Sequence, residues 1–271
     1  MKLWLAPMEG VTDCAFRTLC YNHGADLTYT EMIRVDALVK NNKSTLNLLD
    51  LKNDTPTVIQ LLAVKPEILQ KFINNFPKYN LKPAGFDLNL GCPSPDIIRQ
   101  GAGAALLKRT QRVQELIAIL KKTELPISVK MRLGLNQYEK EKKVYLNILN
   151  NIDADYFIIH ARHGCQASSE KADWTIYQEC IDTGKHIIPN GDIFTKEHLK
   201  YFQNLKIKEI MIGRAAVKNP AIFEYLKYTR TTNLNKIKEE YLKLIQTYPS
   251  PEKYKRNVFN YLGKNSKATN L

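Results

Sequence analysis

A (β/α)8 barrel with a short helical extension is the α/β fold class that this sequence predicts, on three observations. Eight short β-like runs recur between residues 3 and 212, most of them near-continuously apolar, as strands covered on both faces require. Amphipathic stretches separate the runs, so the chain reads strand-then-helix. Polar residues stand at or just after the C-terminal end of nearly every run, which in a barrel is the catalytic rim. A doubly wound open sheet shares the alternation and is the main competitor. The polar strand ends, taken together, favour the barrel.

In order, the strands are expected at residues 3–7, 26–31, 57–62, 85–90, 127–131, 155–160, 186–189 and 209–212. Helical periodicity covers 66–76, 111–122, 139–150, 174–183 and 196–205, with Asp173 and Thr195 as N-caps and Asp13 as the cap of a helix after the first strand. The polar ends are Met8-Glu9, Glu31, Gln60, Asn89 with Cys92, Lys130 with Arg132, His160 with Arg162, Asn190-Gly191-Asp192, and Gly213-Arg214.

After Pro220 the pattern changes. Residues 222–271 hold ten Lys+Arg against four Glu, a net +6 out of +13 for the chain. Two helices are expected at 234–248 and 252–262, parted by Pro249-Ser250-Pro251, with a tail that frays from Gly263. The division is therefore a barrel over 1–221 and a basic helical segment over 222–271. That segment is either a solvated hairpin capping the barrel or a Tyr-bearing surface for a nucleic-acid backbone.

Composition bounds the rest. With 271 residues, 44% hydrophobic and 25% charged, the chain is a globular protein and neither disordered nor fibrous. Five cysteines (Cys14, Cys20, Cys92, Cys165, Cys180), an odd number without a CxxC pair, argue against a disulfide framework or a zinc site. No apolar run is long enough for a membrane span, and charge enters the N-terminal segment too early for a signal peptide. A cytosolic, reduced monomer is expected, with no membrane or metal.

The strand ends carry the chemistry. Asn190, Gly191, Asp192, Gly213 and Arg214 follow the last two strands, where barrels commonly hold phosphate; glycine lets backbone N–H groups approach an anion, and Arg214 can grip it with a planar fork. Cys92 lies in a Gly/Pro loop after the fourth strand. Without a cationic partner its pKa would stay near ~8.5, so it suits a general acid better than a nucleophile. Lys130 could offset negative charge on a bound electron carrier, and Gln60 and His160 could donate to the same ring system. His160 and His163 lack a third metal ligand at suitable spacing.

The motifs at residues 6–13, 60–61, 87–94 running on to 101–107, 129–134, 160–162, 172–174, 190–193 and 213–214 together resemble the tRNA-dihydrouridine synthase family, in order and spacing, over residues 3 to 223. The resemblance implies an FMN-dependent barrel with a C-terminal tRNA-binding helical domain, which reduces a tRNA uridine to 5,6-dihydrouridine with NADPH or NADH. It implies that Pro7, Met8, Glu9, Gln60, Lys130 and His160 contact the flavin ring, and that Asn190, Gly191, Asp192, Gly213 and Arg214 hold its phosphate. Cys92 would be the proton donor, and Arg34, Asn89 and Arg132 would face the uridine and its tRNA. Ala63, Ala161, His163 and Ser168 depart from the family pattern without removing a group the reaction needs. The C-terminal segment is abbreviated.

Overall fold

A computed structural model describes residues 1–52 and 55–264, so the tail expected to fray lies, from residue 265 on, outside the described residues. The strands are β1 (Lys2–Leu5), β2 (Thr28–Tyr29), β3 (Ile33–Arg34), β4 (Thr57–Leu62), β5 (Gly85–Leu90), β6 (Ile127–Arg132), β7 (Tyr156–His160), β8 (Ile187–Asn190) and β9 (Glu209–Ile212). The helices are α1 (Cys14–Asn22), α2 (Val35–Val39), α3 (Lys43–Leu46), α4 (Pro66–Asn75), α5 (Pro95–Arg99), α6 (Thr110–Lys121), α7 (Gln137–Glu141), α8 (Val144–Asn151), α9 (Ile176–Ile181), α10 (Lys196–Asn204), α11 (Arg214–Lys218), α12 (Ile222–Tyr228), α13 (Leu234–Thr247) and α14 (Glu252–Tyr261).

The chain divides into two compact units, one of residues 1–31, 48–58 and the chain from Asp192, the other of residues 32–47 and 59–191. In the second unit β4, β5, β6, β7 and β8 neighbour one another in chain order, with β3 beside β4. In the first unit β1 pairs with the last strand, β9, from Lys2 opposite Glu209 to Leu5 opposite Ile212. Trp4 bridges to Leu27, and β2 pairs with the start of β4. A first strand paired with the last, while the middle strands pair in sequence, is the connectivity of the (β/α)8 barrel. In a doubly wound sheet the strand order reverses partway and the first strand lies inside.

Strand burial explains the apolar runs. Every residue of β4 and β5 is buried, and each large apolar side chain removed from water contributes about 1.5–3 kcal/mol. Two expected caps form: Asp13 accepts the Phe16 N–H and Thr195 the His198 N–H. Three expectations need correction. The helix expected from residue 174 starts at Ile176, because Asp173 is drawn instead into a turn with Thr175 and an ion pair with Lys140. The single helix expected over 139–150 is α7 and α8, parted where Lys143 adopts the left-handed conformation at φ 52°. The strand expected at 26–31 is shorter, although hydrogen bonds from Leu5 to Leu27 and from Thr30 to Val58 continue its alignment.

In the first unit α13 packs on α1 through Phe16 and Tyr241, rings 6.5 Å apart edge to face, and Tyr241 meets Phe259 of α14 at 5.6 Å. Outward, Lys236, Lys238, Lys243, Lys253 and Arg256 are exposed. Among the described residues no helix is long and apolar enough to cross a membrane.

Candidate active site

Successive side chains of a strand point to opposite faces, so Asp87 and Asn89 share one face of β5, and Ser128, Lys130 and Arg132 share one face of β6. The parallel register then lines them up. Asp87 lies opposite Ser128 and Asn89 opposite Lys130; Arg132 lies opposite His160, and His160 opposite Asn190. The second unit thus gathers Gln60, Asn89, Lys130, Arg132, His160 and Asn190 at the C-terminal ends of its strands.

A chain of hydrogen bonds runs through this group. The Ser128 hydroxyl donates to Asp87 Oδ1 at 2.6 Å and Gln60 Nε2 to Asp87 Oδ2 at 2.7 Å. Asn89 Nδ2 donates to Gln60 Oε1 at 2.9 Å. Asn89 Oδ1 in turn accepts the backbone N–H groups of Gly91 at 3.0 Å and Cys92 at 2.9 Å. Buried polar groups in low dielectric are costly unless satisfied, and here each member orients the next. Burial pushes the Asp87 carboxyl up to about 7 against the pull of its two donors and of Lys130. The half-buried Lys130 ammonium is held down to about 8 by loss of water, opposed by the charge of Asp87.

Cys92 is half-buried and packs beside Leu62, Ile97 and Ala102. Its carbonyl accepts the Ala104 N–H at 3.0 Å. At Gly103, φ +58°, a Cβ would lie 2.5 Å from that carbonyl oxygen, so only glycine lets the chain pass this close. All five cysteines are free thiols.

His160 is oriented by Arg162, whose Nη1 lies 3.0 Å from His160 Nε2. A guanidinium only donates, so Nε2 is the acceptor and the ring proton sits on Nδ1. Arg162 itself is buried and donates to the carbonyl of Glu170. Trp174 Nε1 donates to the Gly191 carbonyl at 3.1 Å. At Gly191, φ +110°, a Cβ would stand 2.7 Å from His160 Cδ2.

The two arginines expected at the substrate are held differently. Arg132 Nη1 donates to the His163 carbonyl at 2.8 Å, bracing the loop after β7. Arg34 reaches Gln100 and, at 3.5 Å, Asp36, neither of them an expected site residue.

In the first unit, Met8 opens a turn closed by Thr12, with Val11 and Thr12 N–H groups on the Met8 carbonyl at 3.1 Å. Pro7 and Met8 are half-buried and Glu9 is exposed. At Gly213 a Cβ would sit 3.4 Å from Ala6 Cβ and 3.8 Å from Met8 Sδ, so a side chain there would fill the space beside this loop. Arg214 pairs with Asp192 at 3.0 Å, its guanidinium half exposed.

Asp87 and Ser128 are site residues that the sequence alone does not single out, whereas Arg162 is expected only as a polar strand end. The available signal was a polar residue two places before Asn89 and Lys130, hence on the same strand face. A cavity of about 490 Å³ between His23, Glu224 and Glu240 carries mixed charge and none of the expected residues. Among the described residues, no cluster of His, Cys, Asp and Glu is placed to hold a metal. Within the second unit an ammonium, an amide and an imidazole, carried by β6, β4 and β7, form a donor set that fits an anionic, planar heteroaromatic group.

A family model described as dihydrouridine synthase matches residues 4–266. The chain is 32% identical over 261 residues to a probable tRNA-dihydrouridine synthase of Aquifex aeolicus (strain VF5), covering 92% of this chain and 81% of that protein. It is 29% identical over 230 residues to tRNA-dihydrouridine synthase B of Pasteurella multocida (strain Pm70), covering 83% and 69% respectively. Among solved structures, morphinone reductase is similar with a TM-score of 0.58 at 10% identity, over 86% of this chain and 87% of that one. At that identity the likeness speaks for the fold alone.

Proposed function

Because this chain belongs to the dihydrouridine synthase family and is an enzyme acting on tRNA uridine, we propose that it binds FMN and reduces that uridine to 5,6-dihydrouridine with Cys92 as the acid. The observation that carries this reading is the Asn89 side chain, which joins Gln60 to the backbone of Cys92. One amide thereby sets both a donor for a ring system and the loop bearing the thiol.

The uracil C5–C6 double bond is conjugated with the C4 carbonyl, so C6 is its electrophilic end. When bound, FMN would supply hydride chemistry at C6, with NADPH or NADH as the source of electrons. The rest falls to the protein. Gln60, Lys130 and His160 would contact the flavin ring together with Pro7, Met8 and Glu9. Lys130, whose ammonium form burial disfavours and Asp87 favours, would place positive charge where negative charge develops. Asn190, Gly191, Asp192, Gly213 and Arg214 would hold the phosphate.

Charge arriving at C6 leaves excess density at C5. The Cys92 thiol delivers its proton there: the S–H bond breaks, the C5–H bond forms, and a thiolate remains to be reprotonated from solvent. Asn89, Arg34 and Arg132 would orient the base, which must leave its stack to reach the thiol. Residues 1–221 would carry the chemistry. The basic segment 222–271 would meet tRNA phosphates through its exposed lysines and arginine.

Mass spectrometry of tRNA from cells with and without the gene tests the reading. A uridine that carries two extra hydrogens only when the gene is present supports it. Identical modification patterns, or reduction of free uracil with none of tRNA, would overturn it.

A further inference from the structure

Glu31 is a buried carboxylate to which the reaction above gives no role. Each of its oxygens has its own donor. Oε2 accepts the backbone N–H of Gly10 at 2.9 Å, and Oε1 accepts the hydroxyl of Tyr254 on α14. The other peptide group of Gly10 is held from the same helix, since Asn257 Nδ2 donates to its carbonyl at 2.9 Å. Ser250, just before α14, donates to Asp13, the cap of α1. Segment 250–257 therefore clasps residues 10–31 at three points.

The backbone at Gly10 is built for this approach. Its φ of +67° lies in the left-handed region, and a Cβ there would stand 2.8 Å from Asn257 Nδ2. Gly10 lies inside the turn that Met8 opens and the Val11 and Thr12 N–H groups close. The clasping helix is basic on its outer side: Lys253 and Arg256 are exposed, one on either side of the buried Tyr254. Burial raises the Glu31 carboxyl while Tyr254 and the Gly10 amide hold it down, as expected of a carboxylate whose cost of burial is offset by two dedicated donors.

We propose that Tyr254 and Glu31 are positioning residues, through which the seat of the basic helix α14 sets the conformation of the flavin-facing loop 7–10. The inference rests on the reading of that loop as a flavin contact. Its consequence is mechanical: the helix that meets RNA phosphates also holds both the N–H and, through Asn257, the C=O of Gly10, so the loop cannot relax independently of the RNA-binding face. The alternative is that these bonds only fasten α14 to the fold.

Hydrogen exchange of the full-length protein without FMN, set beside FMN titration, separates the two. In Tyr254→Phe the Gly10 region should exchange about tenfold faster while residues 252–261 stay protected. FMN should bind about tenfold more weakly and with a shifted absorption maximum. In the loaded enzyme kcat should fall while KM for tRNA stays within about twofold. Unchanged exchange at Gly10 together with unchanged FMN affinity would overturn the proposal, even if the melting temperature fell. Should Tyr254→Phe lose protection throughout α14, Asn257→Ala, which removes only the donor to the Gly10 carbonyl, decides on the same readouts. A wild-type protein that bound no FMN would defeat the reading of the loop, whereas the exchange measurement would still decide the clasp.

Discussion

Asn89 Oδ1 accepts the backbone N–H of Cys92 at 2.9 Å, so a residue expected to face the substrate also fixes the loop that carries the acid. Asn89→Ala would strand that N–H, the N–H of Gly91 and the Gln60 Oε1. A loss of about 1–3 kcal/mol in stability is expected, with turnover down about a hundredfold because the thiol is displaced. Asn89→Asp keeps the acceptor for the loop and should lose less stability than the alanine variant. Melting curves and single-turnover rates on tRNA check both, and equal behaviour of the two variants would contradict this account of the loop.

Asp87 makes stability depend on pH in a stated direction. Its carboxyl is raised by burial to about 7 in the folded chain, above the value near 4 of an unfolded one. The folded state therefore retains a proton that the unfolded state has released. Its contribution is fully present below pH ~4 and is lost as pH rises through about 7, by at most ~1.4 kcal/mol per pH unit. Asp87→Asn cannot titrate. The stability of the wild type relative to this variant should accordingly decline between pH 5 and 7, measured by urea unfolding at each pH. A difference independent of pH would contradict the assignment.

How much of this could be read from the sequence follows from where the partners lie. The largely apolar run that became β4 was legible because both faces of this strand are buried. Asp13 and Thr195 were legible as caps because a cap bonds within three residues of itself. The break between α7 and α8 was not, since Lys143 enters the left-handed region without the glycine that usually marks it. Asp87 was hidden for another reason: its donors lie 27 and 41 residues away on other strands, and only register brings them together. The tie from Glu31 to Tyr254 spans 223 residues and leaves no local trace in either segment.

Gly191→Ala should separate backbone strain from cofactor contact. Gly191 sits at φ +110° with the place of a Cβ 2.7 Å from His160, whereas Gly184, at φ +74°, has nothing within 4 Å. Both alanine variants should lose about 1–3 kcal/mol of stability from the left-handed backbone. Only Gly191→Ala should also weaken FMN binding, by about tenfold, because His160 must move. Flavin fluorescence titration of the two proteins side by side decides it. Equal losses of affinity would mean that the site merely reports general destabilisation.

The exposed cations of the C-terminal helices should give tRNA binding a strong salt dependence. Lys253→Ala and Arg256→Ala should each weaken binding at low salt and each reduce the slope of log K against log salt by ~0.9 or less. Filter binding across a salt series checks this, and a slope unaltered in the double variant would remove α14 from the RNA-binding face.

The central claim is tested most directly by giving purified wild-type and Cys92→Ala proteins the same FMN, NADPH and unmodified tRNA, then counting dihydrouridine by mass spectrometry. The variant should keep its bound flavin and accept electrons from NADPH at the wild-type rate, yet form dihydrouridine about a hundredfold to ten-thousandfold more slowly. Undiminished dihydrouridine formation by Cys92→Ala would show that the proton at C5 comes from elsewhere.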